Sequence, residues 1–179
     1  MKAEEIKTIV VIGAGAMGQQ IAMNTVMNGR EHSYQVILCD SFEGAIGKAE
    51  KWASDYLSGR VAKGRLTQEE ADKIADCLTI TKDVDTAVSE ADFIIEAIIE
   101  NLEIKRELFR KISRICRPDA VLGTNSSNIV SSRLADVTVN PERLLNIHYF
   151  NPALVMQLVE LVKGGQYIGR DGLRRQEYR

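Results

Sequence analysis

Short apolar runs alternate with longer stretches of helical periodicity along this chain. Thr8-Ile9-Val10-Val11-Ile12, Val36-Ile37-Leu38-Cys39 and Phe93-Ile94-Ile95 are apolar without polar alternation. Runs of that kind suit strands covered on both faces, because a strand with one wet face would alternate. The pattern predicts strands over 7–12, 35–39, 78–81, 93–96, 120–123 and 144–148, and a last one over 156–162. Between residues 102 and 116, Leu108, Phe109, Ile112, Ile115 and Cys116 fall on one helical stripe. Glu103, Arg106, Glu107, Arg110, Lys111 and Arg114 occupy the other side, which reads as a solvated face, and Pro118 stops the helix. The segment 43–76 is too long for a single crossover helix and predicts a helical hairpin. Gly64 interrupts its pattern, and Thr67 with Glu70 restarts it as a capping box. Strands alternating with helices predict an α/β fold with a doubly wound, mostly parallel sheet over residues 1–163. The polar, arginine-containing segment 164–179 predicts a poorly ordered tail.

The turn after the first apolar run is Gly13-Ala14-Gly15-Ala16-Met17-Gly18. A strand, a G-x-G-x-x-G turn and a helix start together form a Rossmann-type site for a dinucleotide pyrophosphate. Gly13 permits the tight turn, Gly15 leaves room for the phosphate, and Gly18 lets helix and strand pack closely. The free N–H groups of the helix start, where Ala16 and Met17 stand, face the anion. Asp40 ends the second run, 22 residues after Gly18, in place to accept hydrogen bonds from the adenosine ribose. Its carboxylate repels a 2′-phosphate, and Ser41, Phe42 and Glu43 offer no arginine to bind one. The expected cofactor is therefore NAD and not NADP.

Bulk properties narrow the remaining classes. With 179 residues, 45% of them apolar, the chain fits one ordinary globular domain. A net charge of −2 and no basic run argue against nucleic acid or a membrane surface as the main partner. No apolar stretch reaches the length of a membrane span, and the acidic start Met1-Lys2-Ala3-Glu4-Glu5 is unlike a leader, so a cytoplasmic location is expected. Cys39, Cys77 and Cys116 are scattered and odd in number, which reads as buried reduced thiols without a metal site or a disulfide framework.

Oxidation of an alcohol by hydride transfer needs a base, and the chain holds two histidines. His32 lies in a polar loop and reads as a surface residue. His148 ends the apolar run Leu144-Leu145-Asn146-Ile147, at the edge of the sheet where α/β folds bind ligands. Position alone leaves two readings, a satisfied core histidine and a catalytic one. Glu160 sits inside Leu158-Val159-Glu160-Leu161-Val162, where a carboxylate needs a partner, and an imidazole would serve. Gly123-Thr124-Asn125-Ser126-Ser127-Asn128 brings hydroxyls to the same edge, either as helix caps or as contacts to the reacting oxygen. A Ser-His-Glu nucleophilic triad is discounted, since no G-x-S-x-G elbow is present.

Several separated motifs together resemble the L-3-hydroxyacyl-CoA dehydrogenases, the 3-hydroxybutyryl-CoA dehydrogenases included, over residues 6–163. They are the glycine turn, Ile95-Glu96-Ala97-Ile98-Ile99-Glu100-Asn101-Leu102, Thr124-Asn125-Ser126-Ser127, His148-Tyr149-Phe150-Asn151-Pro152, and Val155-Met156-Gln157-Leu158-Val159-Glu160. The resemblance implies NAD-dependent oxidation of an L-3-hydroxyacyl-CoA to the 3-ketoacyl-CoA. It implies His148 as base, Glu160 as its orienting partner and Ser127 as a contact to the substrate oxygen. It places Ala97, Glu100, Lys105 and Asn151 around NAD, and makes Ser58 and Lys63 of the helical hairpin candidates for holding the CoA. Family members continue into a further strand and a helical domain that carries another site asparagine and most dimer contacts. The chain thus reads as the cofactor-binding part of an enzyme whose whole form is a homodimer. Two departures are the long loop 29–35 and Asn128, which stands where the family has a small hydroxyl residue. A dehydrogenase of a free hydroxy acid and an NAD-binding module without turnover are the alternative readings.

Overall fold

The computed structural model describes residues 3–29, 32 and 34–163. The expectation about the tail 164–179 lies outside them, as do residues 30, 31 and 33 of the loop 29–35. Seven strands form one sheet in the order β3-β2-β1-β4-β5-β6-β7. They are β1 (Thr8–Ile12), β2 (Gln35–Cys39), β3 (Leu78–Thr81), β4 (Phe93–Glu96), β5 (Val121–Thr124), β6 (Leu144–Tyr149) and β7 (Val159–Lys163). All neighbours are parallel except β6 and β7, which are antiparallel. The helices are α1 (Ala16–Asn28), α2 (Glu43–Ala62), α3 (Gln68–Asp76), α4 (Val84–Ser89) and α5 (Leu102–Ile115).

The unbroken apolar runs have the origin that the sequence predicts. Successive side chains of β1 point to opposite faces, and each face is covered. Ile9 and Val11 join Ile21, Met23 and Leu38 in the layer under α1, α2 and α3. Val10 and Ile12 join Ile94, Phe109 and Ile112 in the layer under α4 and α5. Burial of each such side chain is worth about 1.5–3 kcal/mol. The hairpin of α2 and α3 forms as expected. Thr67 Oγ1 accepts from the Glu70 N–H while Glu70 Oε2 accepts from the Thr67 N–H, so both halves of the capping box are present.

Four expectations need correction. The fifth strand lies one residue later than predicted, which places Thr124 on β5 instead of in the loop. The last strand begins at Val159 and not at residue 156, because β6 ends at Tyr149, opposite Val159, and residues 156–158 have no strand to pair with. The polar side of α5 is more than a solvated face. Lys105 is 1% exposed, and Arg106 makes a bidentate pair with Asp136 at 2.7 Å while donating to the Arg133 carbonyl. That pair ties α5 to the short 3-10 turns Ser131–Arg133 and Ala135–Val137, which replace a helix between β5 and β6. Of the three free thiols only Cys39 is buried. Burial, with the charges of Asp40 and Asp83, pushes it up to about 12. His32 is exposed, as expected, and stacks on Tyr34.

Candidate active site

The strand order reverses between β1 and β4, and a crevice opens at their carboxyl ends. Gly13 turns the chain there with φ +108°, a conformation costly for any residue with a Cβ, and a Cβ would also fall 2.6 Å from the Ala97 carbonyl oxygen. At Gly18 a Cβ would lie 1.7 Å from the Gly13 carbonyl oxygen, so only glycine lets α1 approach β1 this closely. Gly15, the N-cap of α1, differs from both. A Cβ on it would meet nothing within 4 Å. Its open space belongs to a cleft of about 760 Å³ lined by Gly13, Gly15, Asp40, Lys82, Ala97 and Ile98 among others. A glycine whose missing side chain leaves room at an uncapped helix start is a fitting cradle for the pyrophosphate of NAD.

Asp40 follows β2 and borders the same cleft. Its Oδ2 accepts from the Ala14 N–H and its Oδ1 from the Phe42 N–H, both at 2.9 Å. A carboxylate has about four acceptor positions, so these two bonds fix it and leave the outer lone pairs for ribose hydroxyls. Ala16 and Met17 open α1 beside Gly15.

A smaller cavity of about 230 Å³ adjoins the first through Ala97 and Ile98, and Met17, Glu100, Lys105, Asn125 and Ser127 also line it. A buried polar network forms its wall. The Lys105 ammonium lies 2.5 Å from Glu96 Oε1, with side chains 1% and 0% exposed, and 3.3 Å from Glu100 Oε2. Glu96 also accepts from the Ile98 N–H at 2.8 Å and from Thr124 Oγ1 at 2.7 Å. Glu100 accepts from the Ser126 hydroxyl and, at 3.2 Å, from the Asn128 N–H. Burial alone would raise the Glu100 carboxyl. The Ser126 hydroxyl, the Asn128 N–H and Lys105 outweigh it and hold the group below its ordinary range.

Ser127 is thereby gripped on both sides, and its Oγ lies 3.0 Å from His148 Nε2. His148 Nδ1 lies 3.0 Å from Glu160 Oε2, and the imidazole rests against Phe150. A carboxylate only accepts, so Nδ1 carries a proton, which leaves Nε2 as the ring nitrogen that faces Ser127. Of the two readings of His148, the geometry favours a partly exposed imidazole oriented by a carboxylate over a satisfied core residue. Neither serine caps a helix, since residues 125–130 form a bend: Ser126 Oγ accepts from the Ile129 N–H at 2.7 Å within that bend, while Ser127 faces the histidine.

The remaining candidates are dispersed. Asn151 is exposed beyond β6, at a cis bond to Pro152, and is not among the residues lining either cleft. Ser58 and Lys63 are not brought together. Ser58 lines a groove between α2, α3 and β3, whereas Lys63 borders a different cleft with Gln20, Arg60, Arg65 and Pro152. Five residues of helix turn the side chain through about 140°, which separates them. The sequence assigns no site role to Glu96 or Asn125, and weighs Ser126 only as one of the hydroxyls that follow the fifth strand. The signal for Glu96 was a carboxylate ending an apolar strand, nine positions before a lysine on the following helix. Among the described residues, no cluster of metal-ligating side chains occurs and no helix is long and apolar enough to cross a membrane.

A glycine cradle at the switch point of a parallel sheet, beside a serine, histidine and glutamate in hydrogen-bonded sequence, defines an α/β dinucleotide-binding domain of the kind dehydrogenases carry. The chain belongs to the 3-hydroxyacyl-CoA dehydrogenase family, with residues 8–167 matching its NAD binding domain. It is 38% identical over 159 residues to 3-hydroxyadipyl-CoA dehydrogenase of Escherichia coli K12, covering 89% of this chain and 32% of that one. It is 35% identical to a probable 3-hydroxybutyryl-CoA dehydrogenase of Bacillus subtilis, covering 89% of this chain and 54% of that one. The fold matches the crystal structure of (S)-3-hydroxybutyryl-CoA dehydrogenase from Ralstonia eutropha with a TM-score of 0.83 at 30% identity, over 90% of this chain and 56% of that one. The chain thus spans a third to about half of the length of these relatives.

Proposed function

We propose that this chain is the NAD-binding domain, over residues 1–163, of an enzyme that oxidises an L-3-hydroxyacyl-CoA to the 3-ketoacyl-CoA. The observation that carries the reading is the sequence Ser127 Oγ, His148 Nε2, His148 Nδ1, Glu160 Oε2, two contacts of 3.0 Å, at the rim of the cavity that adjoins the glycine cradle. Gly13, Gly15, Ala16, Met17 and Gly18 hold the pyrophosphate, and Asp40 holds the adenosine ribose. Ala97, Glu100 and Lys105 form the wall of the second cavity, and Asn151, exposed beyond β6, is joined to the NAD site by the resemblance alone. NAD bound there supplies the acceptor for the hydride of the substrate carbon. His148 Nε2 takes the hydroxyl proton, the Glu160 carboxylate stabilises the resulting imidazolium, and Ser127 holds the substrate oxygen.

The CoA tail meets Lys63 and not Ser58 in this reading, since Arg60, Lys63 and Arg65 place three cations along one cleft, suited to its phosphates. The resemblance supports a homodimeric whole enzyme, and the free thiols fit the cytoplasm.

The test is NADH-dependent reduction by the whole enzyme of acetoacetyl-CoA against free acetoacetate. Preference for the thioester is expected. Preference for the free acid overturns the CoA assignment, and NADH binding without turnover of either leaves a binding module.

A further inference from the structure

The wall of the smaller cavity carries an unbalanced charge. Lys105 is its one cation, with its ammonium between two carboxylates, at 2.5 Å from Glu96 and 3.3 Å from Glu100. The pair with Glu96 is sealed from solvent on both sides, whereas the Glu100 side chain is 39% exposed and lines the cavity. Two anions around one cation leave one negative charge in excess, and the Glu100 carboxylate is the one in contact with the space. The hydroxyl of Ser126 and the N–H of Asn128 hold that carboxylate in place. The other titratable pair at this rim, His148 with Glu160, lies beyond Ser127.

The base and the hydride acceptor must meet the same substrate carbon, so the reacting ring of the cofactor belongs in the cavity that Ser127 and Glu100 share. That step rests on the NAD reading above. The oxidised ring is a cation and the reduced ring is neutral, while the rest of the molecule is the same. A fixed negative charge beside the ring therefore distinguishes the two forms by Coulomb energy alone. We infer that Glu100 sets the preference of this site between oxidised and reduced cofactor, favouring the cationic ring through the charge that Lys105 leaves unneutralised. Lys105, held by Glu96, positions Glu100 and trims its charge without cancelling it.

Titrations of the full chain with NAD+, NADH and ADP-ribose test the inference, using the unmodified protein, Glu100→Gln and Glu100→Asp. In Glu100→Gln, binding of NAD+ weakens roughly three- to tenfold relative to NADH, and ADP-ribose, which lacks the ring, is unaffected. Glu100→Asp keeps the charge, so its ratio of NAD+ to NADH affinity stays near that of the unmodified chain even where both ligands weaken. An unchanged ratio in Glu100→Gln, or equal loss of all three ligands, makes Glu100 a structural residue and overturns the inference. Failure of the unmodified chain to bind either dinucleotide would instead overturn the NAD reading on which it rests.

Discussion

His148 and Glu160 stand directly opposite each other on the antiparallel strand pair β6 with β7, with Nδ1 3.0 Å from Oε2. The contact is thus set by strand register, and a slip of one residue would turn Glu160 to the other face. In the whole enzyme, Glu160→Gln keeps the shape and removes the charge. The imidazolium loses its stabilising anion, so kcat for ketone reduction falls while NADH affinity holds. An unchanged kcat would separate the pair from the chemistry.

Asp40 ties the Ala14 and Phe42 N–H groups and, in the proposed function, also holds the adenosine ribose, which separates its variants from a simple loss of affinity. Asp40→Ala removes the ribose acceptor and narrows the gap between NADH and NADPH. It also deprives the Ala14 and Phe42 N–H groups of their acceptor, at about 1 kcal/mol of stability for each exposed or partly buried bond. Fluorescence titration with both reduced cofactors, beside a thermal melt, reads the two effects independently. Equal affinity of the unmodified chain for the two would remove Asp40 from this role.

Gly15 and Gly18 make a contrasting pair. Gly18→Ala drives a methyl onto the Gly13 carbonyl oxygen, and a cost of about 3 kcal/mol lowers the melting temperature by roughly 10 °C. Gly15→Ala meets no protein atom, so the melting temperature holds within about 2 °C while NADH affinity falls about tenfold or more as the methyl enters the phosphate cradle. Intact NADH binding in Gly15→Ala would show that the cradle is not used.

Lys105→Met strands Glu96 as a buried charge and costs about 3–5 kcal/mol. Adding Glu96→Gln to it removes that charge, and the double variant is more stable than the single one in urea denaturation. Additive losses would show that the two side chains are not coupled.

The parallel body of the fold was readable in the sequence because its strands are buried on both faces, which makes runs such as Ile9 to Ile12 unambiguous. Helix α4 was not, since six residues are too few to show a period. The start of β7 was misread because Met156 and Leu158 are as apolar as a strand residue while remaining exposed. The glycine turn, Asp40, His148 and Glu160 were readable from local pattern. Lys105 was assigned to the site by resemblance alone, because a lysine among the charges of an amphipathic helix looks solvated unless its partner on another strand is known. Ser58 and Lys63 were grouped by the resemblance of their helical hairpin to the family segment that holds CoA, and helical rotation parts them.

Among the described residues, strand β7 is hydrogen-bonded along one side only, and all five of its residues are exposed. Glu160 is therefore carried by a strand at the margin of the described sheet, whereas the glycine cradle and Asp40 are carried by its central strands. The two halves of the site have unequal protection against local opening. Peeling β7 from β6 leaves the cofactor crevice whole and deprives His148 of its anion, so amide hydrogens of Val159–Lys163 that bond to β6 exchange well before those of β1. On heating, the contact between His148 and Glu160 opens at a lower temperature than the crevice between β1 and β4, and the domain passes through a state that keeps the crevice while His148 has lost its carboxylate.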